Sequence, residues 1–155
     1  MKRLKTKKLI IHHSASASKT TTTLMVRQWH KEKDFTDPAG HSGYHYFILW
    51  DGTIIPDRPE NEQGCHVKNA NQDSIGICLM GNFNKEIPTI KQYNSLIELL
   101  IKLTKKYDLK YWNIYGHRDI KWLFIFNTTK TACPGDNLYI QLKNIRRRVM
   151  YSMAS

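Results

Sequence analysis

Residues 74–80 (SIGICLM) form an uncharged and largely apolar run. A continuous apolar run of this length is typical of a strand buried on both faces, because a half-exposed strand alternates apolar and polar residues. Such a strand needs other elements packed above and below it, and helices usually supply them. The run therefore predicts an α/β domain with this segment at the centre of its sheet.

Strand and helix patterns alternate along the remainder of the chain. Apolar side chains recur every three or four positions over residues 89–107, which predicts an amphipathic helix. Residues 44–50 and 53–55 flank an Asp51-Gly52 pair, which predicts a β-hairpin. Shorter patterns predict strands at residues 8–11 and 113–115, a helix from Leu24 whose apolar side holds Leu24, Met25, Gln28 and Trp29, and a helix from Asp136 through Val149.

The charge balance is strongly positive. Lysine and arginine number 24 against 13 aspartate and glutamate residues, a formal net charge of +11. The excess gathers at the two ends, in residues 2–8 and 143–148. A solvated surface accounts for such runs without any ligand, whereas a nucleic acid or an anionic cell envelope would be an electrostatic partner. Composition alone does not separate these interpretations.

Apolar runs in this chain are short. The longest, residues 122–126 (WLFIF), is far below the roughly 20 residues that a membrane span needs. A signal peptide needs about 7–15 apolar residues after its basic start. Here only Leu9, Ile10 and Ile11 separate the basic start from two histidines. We therefore expect a cytoplasmic location, no membrane span and no export signal within this sequence.

Three side chains suggest a metal site. His12 and His117 stand where predicted strands end, and Cys133 precedes the last predicted helix, whose N-terminus favours a thiolate. Two imidazoles and one thiolate can bind Zn²⁺ tetrahedrally and leave the fourth position open. Hydrogen-bonded histidines and a small buried cysteine would give the same pattern. Three cysteines, an odd number, do not form a disulfide framework.

Five strings occur in order along the chain: IIHHSAS, SGYHYFILWDGTI, GCHVKNANQDSIGICLMGNF, GHRDI and TACPGD. In these strings the chain resembles the zinc-dependent N-acetylmuramoyl-L-alanine amidases of type 2, which share a fold with peptidoglycan recognition proteins and include amidase-type phage lysozymes. The resemblance implies one α/β domain over residues 1–155, with a central mixed β-sheet flanked by helices. Its core would span about residues 8–142, between basic ends at 1–8 and 143–155.

The resemblance also implies roles for individual residues. It places the zinc ligands at His12, His117 and Cys133, and a catalytic tyrosine at Tyr44, which would hydrogen-bond the attacking water or the tetrahedral intermediate. It places His66 in the substrate groove. His13 is expected to pack against the ligand or to orient it, and surface or strand roles are expected for His30, His41 and His45.

Two features depart from the family pattern. Many catalytic relatives have a lysine two residues before the third ligand, where its ammonium stabilises an oxyanion. Here Thr131 stands at that position and Lys130 one step earlier, and both are candidates, with Thr131 favoured by register. The second departure is an insertion at residues 121–128, which could form a groove wall that stacks on sugar or peptide, or a lid on the core.

The resemblance implies hydrolysis of the amide between the lactyl group of N-acetylmuramic acid and L-alanine, with zinc as cofactor and bacterial peptidoglycan as partner. A phage endolysin released by a holin and a bacterial enzyme that recycles wall fragments both fit. The basic ends would attract anionic envelope polymers. We expect a monomer and no nucleic-acid partner. Two other functions stay open: a non-catalytic peptidoglycan-binding module, and a cysteine peptidase with Cys133 as nucleophile and His117 as base.

Overall fold

The computed structural model describes residues 1–2, 5–120 and 131–154. The strands are β1 (Lys8–His13), β2 (Tyr46–Ile48), β3 (Ile54–Pro56), β4 (Ser74–Leu79) and β5 (Ile114–Gly116). The helices are α1 (Thr23–Lys31), α2 (Ile90–Tyr107), α3 (Asp136–Tyr139) and α4 (Leu142–Ala154), with short 3-10 turns at Asn71–Asp73, Tyr111–Asn113 and His117–Asp119. The predicted insertion at 121–128 and the candidate Lys130 lie outside the described residues.

The five strands form one mixed sheet in the order β3-β2-β4-β1-β5. Strands β2, β4, β1 and β5 run parallel, and β3 pairs antiparallel with β2 at one edge. All six residues of β4 are buried, as the uncharged run predicted. The α/β fold with a central mixed sheet is therefore confirmed.

Alternation along β1 sends successive side chains to opposite faces of the sheet. Leu9 and Ile11 belong to a large core that also contains apolar residues of α2 and α4. Ile10 points the other way and packs with residues of the loops that follow β3 and β5. His12 shares the face of Ile10, so it points away from the α2 and α4 layer.

Helix α2 is attached to the sheet at its first turn. The Thr89 hydroxyl accepts from the Gln92 backbone N–H at 3.0 Å, and the Gln92 side chain accepts from the Thr89 N–H at 3.1 Å. This reciprocal pair satisfies two of the N–H groups that a helix start leaves open. The Gln92 amide also donates to the Met80 carbonyl at 2.8 Å, which fixes the helix start to the end of β4.

The structure corrects two details of the predicted helices. The last predicted helix is divided at residues 140–141, where the Gln141 N–H donates to the Leu138 carbonyl at 3.1 Å, and Ile140 is 74% exposed at this turn. In α1 the predicted apolar face is right for Trp29, which packs against the core cluster of Val26, and wrong for Leu24 and Met25, which are exposed. Val26 is its buried residue, whereas Leu24 is 67% exposed, because the inward side of the helix carries Val26 and the polar His30.

Parts of the two basic ends have structural partners. Lys8 forms a 2.6 Å ion pair with Asp73. The Arg146 guanidinium donates to the Ile114 carbonyl at 2.8 Å through Nε and lies over the Tyr115 ring. The bounds of the core and of these ends stay predictions.

Among the described helices, none combines the length and hydrophobicity that crossing a membrane requires.

Candidate metal centre

The parallel pairing of β1 with β5 brings two histidines together. Ile11 pairs with Gly116 in the register of these strands, so His12 and His117 are the next residues along each strand. Parallel strands end at the same sheet edge, where α/β folds gather their sites. The two rings are accordingly close, with centroids 4.7 Å apart.

Cys133 reaches the same place on a tight loop. The Thr131 hydroxyl oxygen accepts from the Cys133 N–H at 3.1 Å, and the Gly135 N–H donates to the Ala132 carbonyl at 2.7 Å. Gly135 has φ +88°, and a Cβ there would lie 2.5 Å from the Phe83 carbonyl carbon. The loop therefore packs against residue 83, and its Cys133 sulfur lies 3.6 Å from Nδ1 of His12.

His12, His117 and Cys133 each offer one ligand atom, and these atoms all lie within 4.8 Å of one another. His12 is buried, whereas His117 and Cys133 are half-buried, so the cluster opens toward solvent on one side. Such a group could hold a metal ion. Two imidazole nitrogens and one sulfur form a donor set that Zn²⁺ prefers, whereas Mg²⁺ and Ca²⁺ prefer oxygen.

Burial sets the protonation of these side chains. It lowers the pKa of His12 well below its ordinary value, and the positive forms of His117 and His66 would lower it further. Burial likewise lowers the pKa of His117 to about 4. Both imidazoles are therefore neutral near pH 7 and have a lone pair for a metal.

Cys133 behaves differently because its charged form is the ligand. Burial raises the pKa of the Cys133 thiol to about 12, although the His13 backbone N–H and the Arg118 charge act in the opposite direction. A thiol must lose its proton to bind a metal, so a cation at this point would have to offset the burial. The same high pKa makes a free nucleophilic thiolate unfavourable.

Tyr44 lies beside the cluster, with its ring centroid 5.1 Å from that of His12. Burial raises the pKa of Tyr44 well above 10, followed by the proximity of Cys78 and Cys133. Its ring packs against the apolar cluster that contains Cys78, on strand β4. Tyr44 is therefore a protonated phenol that can donate. Sequence patterns did not indicate this packing of Tyr44 against Cys78.

His66 contacts the cluster from behind. Its Nδ1 lies 2.9 Å from Nε2 of His12, so it is a direct neighbour of a candidate ligand. Sequence reasoning did not identify this contact, which joins residues 54 positions apart. The place of His66 in a substrate groove stays a prediction.

The other histidines have structural partners. His13 accepts from the Phe83 N–H at 3.2 Å, and the His30 ring accepts from the Gly43 N–H at 2.8 Å. His41 pairs with Asp37 at 2.7 Å. The buried His45 accepts from the Gly76 N–H at 3.0 Å.

Arg118 is a further residue of the site that the sequence analysis did not select. It lies over the Tyr139 ring at 4.5 Å, pairs with Asp136 at 2.7 Å and donates to the Ala132 carbonyl. It thus holds the Cys133 loop from the residue next to His117. The GHRDI string contains this arginine, and its place beside a candidate ligand was the available signal.

Comparisons with known proteins agree with this geometry. A family model described as N-acetylmuramoyl-L-alanine amidase matches residues 2–136. The chain is 37% identical over 142 residues to the endolysin of Enterobacteria phage T3, with 88% of this chain and 85% of that protein covered. It is 28% identical over 138 residues to peptidoglycan-recognition protein SC2 of Drosophila melanogaster, with 86% and 71% covered. The solved structure of N-acetylmuramoyl-L-alanine amidase LysC from Clostridium intestinale URNW matches with a TM-score of 0.78 and 30% identity, over 94% of this chain and 85% of that one.

Proposed function

Because the chain belongs to the N-acetylmuramoyl-L-alanine amidase family, we propose that it hydrolyses the amide between the lactyl group of N-acetylmuramic acid and L-alanine in peptidoglycan. One observation carries the proposal: ligand atoms of His12, His117 and Cys133 converge within 4.8 Å at the ends of two parallel strands. Binding alone does not require such a cluster, whereas hydrolysis of an unactivated amide needs a strong electrophile and a nucleophile.

The metal that we propose is a single zinc ion held by these three side chains. The two neutral imidazoles and the sulfur fit it by donor type, and the partly open side of the cluster suits a fourth ligand from solvent or substrate. Bound zinc would polarise the scissile carbonyl and bring the pKa of a coordinated water down to about 7.

Tyr44 is the residue that we propose to act on the reacting amide. Its phenol stays protonated because burial raises its pKa, so the hydroxyl can donate a hydrogen bond. Donation to the oxygen of the tetrahedral intermediate would stabilise the negative charge that develops there. A proton delivered to the departing nitrogen of L-alanine is the other step that this phenol could support.

Thr131 is a second proposed donor. Its oxygen accepts from the Cys133 N–H at 3.1 Å, which leaves the hydroxyl proton to be donated on the substrate side. Lys130 remains the alternative from the sequence, and it lies outside the described residues. His66 keeps its proposed contact with substrate, next to His12.

The relatives named endolysin support a lytic role on the bacterial cell wall. We propose that the chain acts there after release through the membrane by a holin. Recycling of wall fragments inside the cell would use the same chemistry on a soluble substrate. Activity on intact sacculi and on isolated fragments distinguishes the two roles.

The burial of Cys133 argues against the cysteine peptidase. Burial raises the pKa of this thiol to about 12, whereas a nucleophilic cysteine needs a lowered pKa. A non-catalytic binding module is the other alternative, and recognition of peptidoglycan is what the name of the Drosophila relative states. Such a module would hold peptidoglycan without releasing new amino groups.

The decisive experiment combines metal analysis with product analysis. Purified protein should contain about one zinc per chain, and digested peptidoglycan should show free L-alanine amino termini by mass spectrometry. Phenanthroline should stop the release, and zinc should restore it. Release that resists the chelator but stops with iodoacetamide would support the cysteine peptidase and overturn the proposal.

Cys133→Ser is the matched variant, because serine keeps the approximate size and replaces the thiol by a hydroxyl, which is a poor zinc ligand. It should lose both zinc and hydrolysis. Cys65→Ser serves as the control, since Cys65 is a half-buried free cysteine that is not part of the metal cluster. Full activity of a zinc-free Cys133→Ser protein would contradict the assignment.

A further inference from the structure

A chain of hydrogen bonds runs behind the candidate metal centre from the second nitrogen of His12. This Nε2 lies 2.9 Å from Nδ1 of His66. On the other side of the His66 ring, Nε2 lies 3.4 Å from the Ser74 hydroxyl. That hydroxyl donates to the Ala70 carbonyl oxygen at 2.6 Å. The three side chains therefore form one path from the His12 ring to a backbone carbonyl.

The carbonyl at the end of this path sets the direction of each bond in it. Since a carbonyl oxygen only accepts, the one Ser74 hydroxyl proton points to Ala70, and the Ser74 oxygen accepts from Nε2–H of His66. A neutral imidazole with its proton on Nε2 has a lone pair on Nδ1. In a neutral His66 ring, Nδ1 therefore accepts from Nε2–H of His12.

The consequence appears at the opposite nitrogen of His12. With its proton on Nε2, the neutral His12 ring has its lone pair on Nδ1. This is the nitrogen that lies 3.6 Å from the Cys133 sulfur. The lone pair therefore points to the place where the three ligand atoms converge.

The His66 ring is held in this position by its surroundings. A Cβ on Gly64 would lie 2.5 Å from Cδ2 of the ring, and a Cβ on Gly76 would lie 2.6 Å from it. The ring thus fills space that a side chain at either glycine would take. Asn71 fixes the backbone nearby, because its side-chain oxygen accepts from the N–H groups of His66 and Val67 at 2.9 and 2.8 Å.

We propose that His66 and Ser74 are positioning residues that select the His12 tautomer with its lone pair on Nδ1, directed at the metal site. The inference rests on the proposed function, in which His12 is a zinc ligand. Metal-binding histidines commonly donate their second N–H to a carboxylate or carbonyl, which only accept. Here the partner is another imidazole, which can exist in either tautomer, so the Ser74 to Ala70 bond is needed to fix the direction.

The first test reads the tautomers directly. Long-range proton–nitrogen correlation spectra of histidine-labelled protein distinguish a protonated ring nitrogen from one with a lone pair. In the folded, metal-free protein near neutral pH, we expect Nε2 to be protonated and Nδ1 to be unprotonated on both His12 and His66. A His12 ring protonated on Nδ1 overturns the proposal.

The second test measures zinc affinity by competition with a chromogenic chelator. His66→Asn keeps an oxygen near the position of Nδ1 that can accept from His12, whereas His66→Leu offers no acceptor. We expect His66→Leu to bind zinc about 10–100-fold more weakly than the wild type, as for other partners of metal ligands, and His66→Asn to recover most of the loss. Equal zinc affinity in a folded His66→Leu protein overturns the proposal.

Ser74→Ala tests the far end of the path without changing either ring. It should give a mixture of His12 tautomers in the same spectra and a smaller loss of zinc affinity. Ser95→Ala is the matched control, because the Ser95 hydroxyl also donates to a carbonyl, that of Gly52 at 2.6 Å. A single unchanged His12 tautomer in Ser74→Ala would show that Ser74 does not set the direction.

These readouts separate the inference from the proposed function. A wild-type protein with the expected tautomers and zinc affinity, but with no release of L-alanine amino groups, would overturn the amidase activity and leave the positioning role standing. A protein that cleaves peptidoglycan with His12 protonated on Nδ1 would overturn the positioning role and leave the amidase activity standing.

Discussion

The backbone N–H of Arg118 donates to the carbonyl oxygen of Cys133 at 3.1 Å. The same arginine adds an ion pair with Asp136 at 2.7 Å and stacks on the Tyr139 ring. Because Arg118 follows His117 directly in the chain, these contacts join the segments that carry two of the three candidate ligands. The distance from His117 to the Cys133 sulfur thus depends on one side chain that is not itself a candidate ligand.

Arg118→Lys should therefore weaken zinc binding while the fold is retained. Lysine keeps the positive charge and the backbone N–H, but it lacks the planar fork that contacts Ala132 and Asp136 together. We expect the zinc affinity to fall about 10-fold or more, as for other changes behind a metal ligand. Chelator competition measures the affinity, and a thermal melt checks the fold.

Arg27→Lys is the matched control, since Arg27 pairs with Asp57 at 2.5 Å and not with the Cys133 loop. Zinc affinity should be unchanged in this variant. An equal loss in both variants would mean that general destabilisation, rather than the position of the loop, explains the effect of Arg118→Lys.

Tyr44→Phe should separate catalysis from metal binding. The phenol is the protonated donor beside His12, and phenylalanine keeps its ring packing against that residue. Loss of a donor to a developing oxyanion typically costs about 10²–10³ in kcat. We expect a loss of this size in the release of L-alanine amino groups, with the zinc content still near one per chain.

Tyr46→Phe provides the comparison, because it removes another tyrosine hydroxyl two positions along, one that donates to Glu60 at 2.6 Å. Its activity should stay close to that of the wild type. A Tyr44→Phe protein that keeps full activity would remove Tyr44 from the mechanism.

Much of the fold could be predicted because local sequence determines it. Helix α2 follows from apolar residues at helical spacing, and Thr89 and Gln92 cap it as their residue types predict. Strand β4 follows from its uncharged run. The face of α1 could be predicted only in part, for Trp29, because the polar His30 lies on the inward side and is satisfied by the Gly43 N–H from another part of the chain.

In the candidate site, too, some features could be predicted from the sequence and others depend on tertiary contacts. The resemblance selected His12, His117 and Cys133, and the register of β1 against β5 explains why two of them meet. Spacing along the chain could not reveal the neighbours behind them. The contacts of His12 with His66 and of Tyr44 with Cys78 depend on how separate strands and loops pack.

The stability of the protein should fall in mild acid, and His30 should contribute to this fall. Its Nδ1 accepts from the Gly43 N–H at 2.8 Å, which only the neutral ring can do. Burial, followed by the charges of Lys33 and Arg58, lowers the pKa of His30 from 6.5 to about 4. Between these values the unfolded chain binds more protons than the folded one, so stability decreases as pH falls from 6.5 to 4.

His30→Asn removes this titration. Urea unfolding at several pH values should therefore show a free energy of unfolding that changes less steeply with pH than in the wild type, and the difference in slope should correspond to at most one proton. The dependence will not vanish, because burial also lowers the pKa of His13 to about 4. Gln28→Asn is the control on the same helix, and it should leave the slope unchanged. A His30→Asn protein with the wild-type slope would show that His30 is not neutral in the folded state.

The basic surface of helix α4 should attract an anionic cell wall through only some of its charges. Lys143 and Arg147 are exposed and one helical turn apart, so they share a face. Arg146 instead donates to the Ile114 carbonyl at 2.8 Å and lies 3.7 Å from Asp119, so it supports the strand before His117. Substitutions of the exposed pair and of Arg146 should therefore affect lysis with a different dependence on salt.

Replacing Lys143 and Arg147 together by glutamine should reduce lysis of purified walls at low ionic strength. The difference from the wild type should become smaller as the salt concentration rises, because the attraction between exposed charges is screened over about 10 Å at 0.1 M. Arg146→Gln should lose activity to the same extent at every salt concentration and should melt at a lower temperature. If the double variant also loses activity equally at low and high salt, these charges act on the fold and not on the wall.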